Sequence, residues 1–308
     1  MEGDPALKLS ILGQIRRDRI FLLLLAPTII FYVMFRYVPM FGIAISFMDY
    51  NLFRGITGSP WVGLKYYRMF LENPDARIIV KNTVLLGFYK LLFGFPAPVI
   101  LALMLNEVRN MLFKRFVQTV SYLPYFLSIV VVASMIDMFL SPSTGWLNHA
   151  LQDLGFPAIN FLQEPGWFRT IFVSSEIWQQ VGWGSIIYLA AVTTIDPQLY
   201  EAARMDGAGR LKQMWHVTLP GIATTVAIMF LMQIGQILEI SFEKVFLLSN
   251  AATYDTSDII GTYVYRIGLL QGNFSYGAAI DLFMGVIGFA LVYASNRVSR
   301  RFSETSLW

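Results

Sequence analysis

The chain has 308 residues, of which 56% are hydrophobic and only 14% charged, with no cysteine and a formal net charge of +3. So little charge excludes an ordinary soluble domain, which carries about 25% charged residues, and so much apolar and aromatic content excludes disorder. Without cysteine there is no disulfide, thiolate metal site or thiol nucleophile, and a net charge this small does not mark a nucleic-acid surface.

What remains is a polytopic membrane protein. A bilayer core needs about 20 apolar residues per helix, and six segments meet that length. Residues 20–40 are charged only at Arg36, and 83–105 only at Lys90. Residues 117–140 hold Asp137 near their end, and 171–195 hold Glu176. Residues 217–240 carry no charge before Glu239, and 276–296 hold Asp281 near their start. The runs are continuous and not alternating, which favours helices over barrel strands. Arg16, Arg17 and Arg19 precede the first run as in a signal peptide. The run is too long for one, however, and no small-residue cleavage site follows promptly, so it reads as a first span. The expected fold is an all-α membrane protein of six transmembrane helices in a single domain, 1–308.

Six spans put both termini on one side. The segments 1–19, 106–116, 196–218 and 297–308 hold 13 Lys/Arg in 65 residues, against 8 in 107 for the alternating segments. The positive-inside rule makes the first set cytoplasmic. Tyr32, Tyr37, Trp146, Trp167 and Tyr293 lie near span ends and suit an aromatic belt.

The cytoplasmic connector 196–218 is patterned. Asp196-Pro197 is an N-cap followed by a first helical residue. Leu199, Glu201, Ala202, Ala203, Arg204 and Met205 are good helix formers, and Gly207 can end the helix in the left-handed conformation. A second helical stretch, 211–217, follows before Leu219-Pro220. Chemistry alone allows an ordinary interfacial helix here. The spacing says more. Glu201-Ala202-Ala203, three residues, Gly207 (preceded by Asp206), nine residues, Val217, one residue and Leu219-Pro220 resembles the coupling loop of permease subunits of bacterial ABC importers. That family usually has Ile where this chain has Val217. The stretches 36–42, 49–51, 261–266 and 271–276 and the closing Leu307-Trp308 resemble LplB-type carbohydrate permeases, a group that includes the alginate-oligosaccharide system. The resemblance covers almost the whole chain.

The resemblance implies a type I ABC importer permease fold in the bacterial cytoplasmic membrane. It implies a homologous second permease, two ABC ATPase subunits docked on the coupling helices, and an extracytoplasmic solute-binding protein delivering an oligosaccharide. The sequence has no G-x-x-x-x-G-K-[ST] loop, so ATP and magnesium belong to the ATPase subunits, and this chain is expected to hold no cofactor or metal. Glu201, Ala202, Ala203, Asp206, Gly207, Leu219 and Pro220 become the expected ATPase-coupling residues.

The substrate pathway is expected where polar groups interrupt the spans, because such groups are costly in lipid. Glu176, Gln180 and Trp183 have i, i+4, i+7 spacing, one helical face. Gln233, Gln236 and Glu239 are the polar group of the fifth segment, with Gln236, Glu239 and Glu243 expected on one face. Amides and carboxylates suit sugar hydroxyls, and Trp183 offers a ring to stack on. Equally, such groups can bond helix to helix. Lys90 is expected to pair with a carboxylate or to meet an acidic substrate, and Lys244 to pair locally with Glu243. Lys90, Lys244 and Arg266 are the cations that could serve an anionic substrate. His149 and His216 fall in loops on opposite sides and cannot share a metal. Three readings compete with a saccharide permease. A membrane enzyme built on Glu176 and Glu239 lacks a nucleophile–base set. A sensor using the same fold would keep the loop, and a permease for a non-sugar solute would share it.

Overall fold

The computed structural model describes residues 18–302. Lys8, Arg16, Arg17 and the closing Leu307-Trp308 lie outside the described residues. Among the described residues, three helices are long and apolar enough to cross a bilayer: α1 (Arg19–Phe47), α3 (Pro74–Glu107) and the first 21 residues of the last helix, α13 (Phe274–Phe302). Between α1 and α3 runs a short surface helix, α2 (Lys65–Glu72). No residue of the stretch Arg19–Tyr32 is buried, so its all-round apolar surface faces lipid or another chain.

Two expected spans are bent pairs. The third consists of α4 (Met111–Phe126) and α5 (Ile129–Leu140), which meet at 105°. The bend follows Pro124, and Ser128 restarts the helix by accepting a hydrogen bond from the Val131 amide at 3.3 Å. After α5, a short α6 (Trp146–Asp153) leads into α7 (Pro165–Val192). α7 is 28 residues long, about 42 Å at 1.5 Å per residue. It begins six residues before the expected fourth span and is not among the three helices apolar enough to cross by composition. The expected fifth span is a second bent pair. After α8 (Pro197–Met205), α9 (Arg210–Gly221) meets α10 (Ala223–Gly235) at 62°. α10 stops at Gly235, so Gln236, Glu239 and Glu243 do not share a helical face as expected. The chain then forms α11 (Phe242–Leu248) and α12 (260–270) before α13.

Wide π turns occur at Val33–Tyr37, Lys90–Gly94 and Met214–Thr218, just ahead of Pro39, Pro96 and Pro220. A proline ring clashes with the carbonyl four residues earlier. In each case that carbonyl belongs to the π turn (Phe35, Leu92, His216), and widening the helix there relieves the clash. Lys90 is aimed by one of these turns.

α7 is the central post of the fold, and it packs most extensively along the second half of α3. Leu86, Phe168, Phe172, Val245 and Ile259 form one buried cluster where α3, α7 and α11 meet. Val99, Ala102 and Tyr188 form another, covered by Leu219, Val226 and Met229. Phe70, Ile79, Tyr263, Tyr276 and Ile280 join α2 and α3 to α12 and α13. At Gly182, α7 crosses α4 so closely that a Cβ would collide with the Ser121 carbonyl. Among the described residues the only strand-like pairing is one antiparallel bridge between Met48 and Trp61.

Candidate functional site

A cavity of about 320 Å³ opens between α3, α7 and α10. That is within the range of small-ligand sites, about 300–1,000 Å³. Its polar lining is Lys90 from α3, Glu176 and Gln180 from α7, and Gln233 and Gln236 from the end of α10; Trp183 adds a ring. Five of the six residues expected on the pathway therefore share one cavity. Glu239 does not line it, because the helix that would have carried it there has ended.

The cavity wall contains a charge cluster. Lys244 Nζ, on α11, lies 2.9 Å from Glu176 Oε2 and 3.2 Å from Gln179 Oε1. Lys244 is 1% exposed. Lys90 Nζ approaches the other oxygen, Glu176 Oε1, at 3.8 Å. Lys90 thus pairs with an intramembrane carboxylate, one of the two outcomes its sequence allowed. Lys244 does not pair with its neighbour Glu243; it reaches across to α7 instead. Gln179 also donates to the Leu127 carbonyl at 3.2 Å, so it bonds helices together and is buried away from the cavity.

Trp183 is half-exposed, but one face of its ring is already covered. Tyr125 stacks on it at 4.6 Å between centroids and 7° between planes, and Phe126 meets it edge-on. The α4–α5 bend brings both rings there.

The 196–218 connector folds as its residues dictate. Asp196 accepts from the Gln198 amide at 2.9 Å and caps α8. Gly207 has φ +78°, with Ala208 N–H bonded to Ala203 O and Gly207 N–H to Arg204 O. This is the left-handed stop that favours glycine. Gln213 Nε2 donates to Ala208 O at 2.7 Å, holding the turn to α9, and Tyr200 Oη bonds Thr218 Oγ1 at 3.0 Å, fixing α8 against α9. Glu201 and Ala202 are exposed and Ala203 is half-buried. Leu199, Met205, Leu211 and Trp215 project beside them, each more than half exposed. Asp206 and Gly207 are exposed at the turn, whereas Leu219 and Pro220 lie in the last turn of α9, just before the bend into α10.

The other polar residues divide clearly. Arg266 is committed to Asp258, with Nη2 at 2.6 Å from Oδ2, and it lies over the rings of Tyr254 and Tyr263. The Asp258 hydrogen bond raises its pKa further. Arg266 is therefore not a free cation for substrate. Asp49 accepts from Tyr66 Oη at 2.7 Å, which lowers its pKa, while burial foremost raises that of Tyr66 to about 12. Among the described residues no group of His, Asp or Glu could hold a metal ion.

Sequence reasoning missed Arg169 and its partner Asn82. The expected fourth span begins at 171, which leaves Arg169 in the connector; in the structure it is on α7, two turns before Glu176 on the same face. Its Nη2 donates to Asn82 Oδ1 at 2.8 Å, and Asn82 in turn holds the carbonyls of Asp255 and Asp258. The i, i+7 spacing of Arg169 and Glu176 was the available signal.

A family profile described as "Binding-protein-dependent transport system inner membrane component" matches residues 94–304. The chain is 46% identical to the polygalacturonan/rhamnogalacturonan transport system permease protein YteP of Bacillus subtilis (strain 168), covering 93% of this chain and 89% of that one. It is 41% identical to the Bacillus subtilis protein LplB, covering 97% and 94%. Among solved structures it is similar to a chain of a bacterial alginate ABC transporter in complex with an alginate pentasaccharide-bound periplasmic protein. That likeness has a TM-score of 0.90 at 40% identity, over 96% of this chain and 99% of that one.

Proposed function

The chain belongs to the family of binding-protein-dependent transport system inner membrane components, and on that premise we propose that it is the permease subunit of an ABC importer that carries an oligosaccharide into the cytoplasm. The carrying observation is the shared cavity: Lys90, Glu176, Gln180, Trp183, Gln233 and Gln236 converge from three helices on a space of about 320 Å³. Amides and charged groups suit hydroxyls, and two of the relatives named above, YteP and the alginate transporter chain, bear the names of saccharide systems. A non-sugar solute is the less favoured reading.

In this reading the chain spans the membrane six times, with the bent pairs α4–α5 and α9–α10 as the third and fifth spans and α7 as the fourth. Both termini and α8 face the cytoplasm, where basic residues concentrate. A homologous second permease closes the other side of the cavity, two ATPase subunits supply ATP hydrolysis, and an extracytoplasmic binding protein loads the substrate. α8 is the coupling helix. Ala202 and Ala203 permit close approach, Glu201 offers a charge-assisted hydrogen bond, and the bonds from Gln213 and Tyr200 tie α8 and its turn to α9, so that motion of the ATPases rocks the attached spans. That is alternating access around a central site.

The test is to purify the complex with its binding protein and measure stimulated ATPase activity over neutral and acidic oligosaccharides. Stimulation by at least one saccharide class, lost in Glu201→Ala while assembly persists, is expected. Stimulation by none of them would overturn the reading.

A further inference from the structure

We propose that Arg169 and Lys90 form a two-station cationic ladder on one face of the pathway, which selects oligosaccharides bearing repeated carboxylates, as a uronic-acid chain does. The proposal rests on the oligosaccharide reading above and names the substrate's charge.

The charge balance is the first observation. Glu176 is the one carboxylate of the cavity wall, and two lysines address it. Lys244, buried and at 2.9 Å, already satisfies it. Lys90, at 3.8 Å and 24% exposed, is the surplus cation and the one that lines the cavity. Burying an unmatched charge is costly, so the site favours arrival of an anion.

The second observation is a neighbouring cavity of about 500 Å³, lined by Tyr89, Phe93, Arg169, Val173 and Ile177. Ile177 lines both cavities, and Tyr89 directly precedes Lys90 in α3. The two spaces therefore follow one another along α7. Arg169 bonds only the neutral Asn82, no carboxylate lies within ion-pair distance of it among the described residues, and its buried Nε has no hydrogen-bond partner. An unpaired guanidinium suits a carboxylate, which it can grip with two N–H groups. Arg169 and Glu176 are seven residues apart on one helical face, about 10 Å along the axis. One molecule with several carboxylates can meet Arg169 and Lys90 together, while Tyr89 and Phe93 offer rings to its apolar C–H faces. A neutral sugar leaves Arg169 without a carboxylate and Lys90 with only its loose contact to Glu176.

The experiment uses the full complex in proteoliposomes. A uronic-acid trisaccharide and the same trisaccharide with its carboxyls reduced to hydroxymethyl groups are each supplied preloaded on the cognate binding protein. Lys90→Gln leaves Lys244 on Glu176, and Arg169→Gln can still donate to Asn82, so both variants keep the packing contacts. Each is expected to lower uptake of the acidic sugar about ten-fold more than uptake of the reduced sugar, the effect of losing one charge-assisted hydrogen bond. Lys90→Arg is expected to retain acidic uptake, a comparison that reads charge with the acidic sugar alone. An equal fall for both sugars, no change in either variant, or failure of Lys90→Arg to rescue would overturn the ladder. A wild-type complex that takes up neither sugar would overturn the ladder, and the oligosaccharide reading falls with it only if no saccharide of the wider panel stimulates ATPase activity; one that takes up both, with variants like wild type, overturns the ladder alone.

Discussion

Lys244 and Glu176 are 68 residues apart in sequence and 2.9 Å apart in space. Their pairing joins α11 to the middle of α7 and neutralises the only carboxylate of the cavity wall. Removing one member of a buried pair strands the other, typically at a cost of about 3–5 kcal/mol. Glu176→Gln, which strands the 1%-exposed Lys244, is therefore expected to lower the thermal stability of the purified complex sharply. Lys244→Met combined with Glu176→Gln is expected to recover much of the loss. A double variant no more stable than the single would show that the pair is not coupled.

Gly182 is a packing position. The Ser121 carbonyl occupies the place a Cβ would take, so α4 and α7 must separate to accept any side chain. Gly182→Val is expected to cost at least about 1–3 kcal/mol, the range for overpacking, and to reduce the folded protein recovered from membranes. Gly166, which has nothing within 4 Å of its Cβ position, is the control, and Gly166→Ala is expected to be recovered at wild-type level.

Gly207 differs in kind. No atom lies within 4 Å of its Cβ position, yet φ is +78°. The cost of a side chain there is backbone strain of about 1–2 kcal/mol, which Asn tolerates best. Gly207→Val is expected to keep the folded permease but lose coupled ATPase stimulation, while Gly207→Asn keeps most of it. Equal behaviour of the two variants would argue against a role for the left-handed turn.

Asp49 and Tyr66 hold the connector after α1 to α2. The folded pKa of Asp49 is depressed, so its contribution is present above its unfolded pKa and lost as pH falls through the lower folded value. The pKa of Tyr66 is raised to about 12, so its contribution is full below its unfolded pKa and lost as pH rises through about 12. Limited proteolysis of this connector is expected to be slowest between those limits and to increase on either side. Tyr66→Phe is expected to remove the protection and return Asp49 towards the ordinary carboxylate range.

Arg266 tests geometry against charge. It pairs with Asp258 through both terminal nitrogens while lying over two tyrosine rings. Lysine keeps the charge but not the planar fork. Arg266→Lys is expected to lower the melting temperature of the complex, by an amount matching about 1–3 kcal/mol for a lost charged hydrogen bond, without changing which sugars are taken up.

The sequence by itself determined the membrane class, the places of the apolar segments and the cap-and-glycine pattern of 196–218, because hydropathy, Asp196-Pro197 and Gly207 act through neighbouring residues. It also determined the i, i+4, i+7 face of Glu176, Gln180 and Trp183, because α7 is a regular helix. Only the tertiary structure decided that the third and fifth segments bend, that α10 stops before Glu239, that Lys244 reaches Glu176 instead of Glu243, and that Arg266 is spent on Asp258. Those outcomes depend on which helices meet. Ion pairs in a low-dielectric interior go to the partner that packing brings within about 3–4 Å, a distance that spacing along the chain does not encode. The same juxtaposition leaves Lys90 only loosely matched and Arg169 without a carboxylate partner beside the cavities they line.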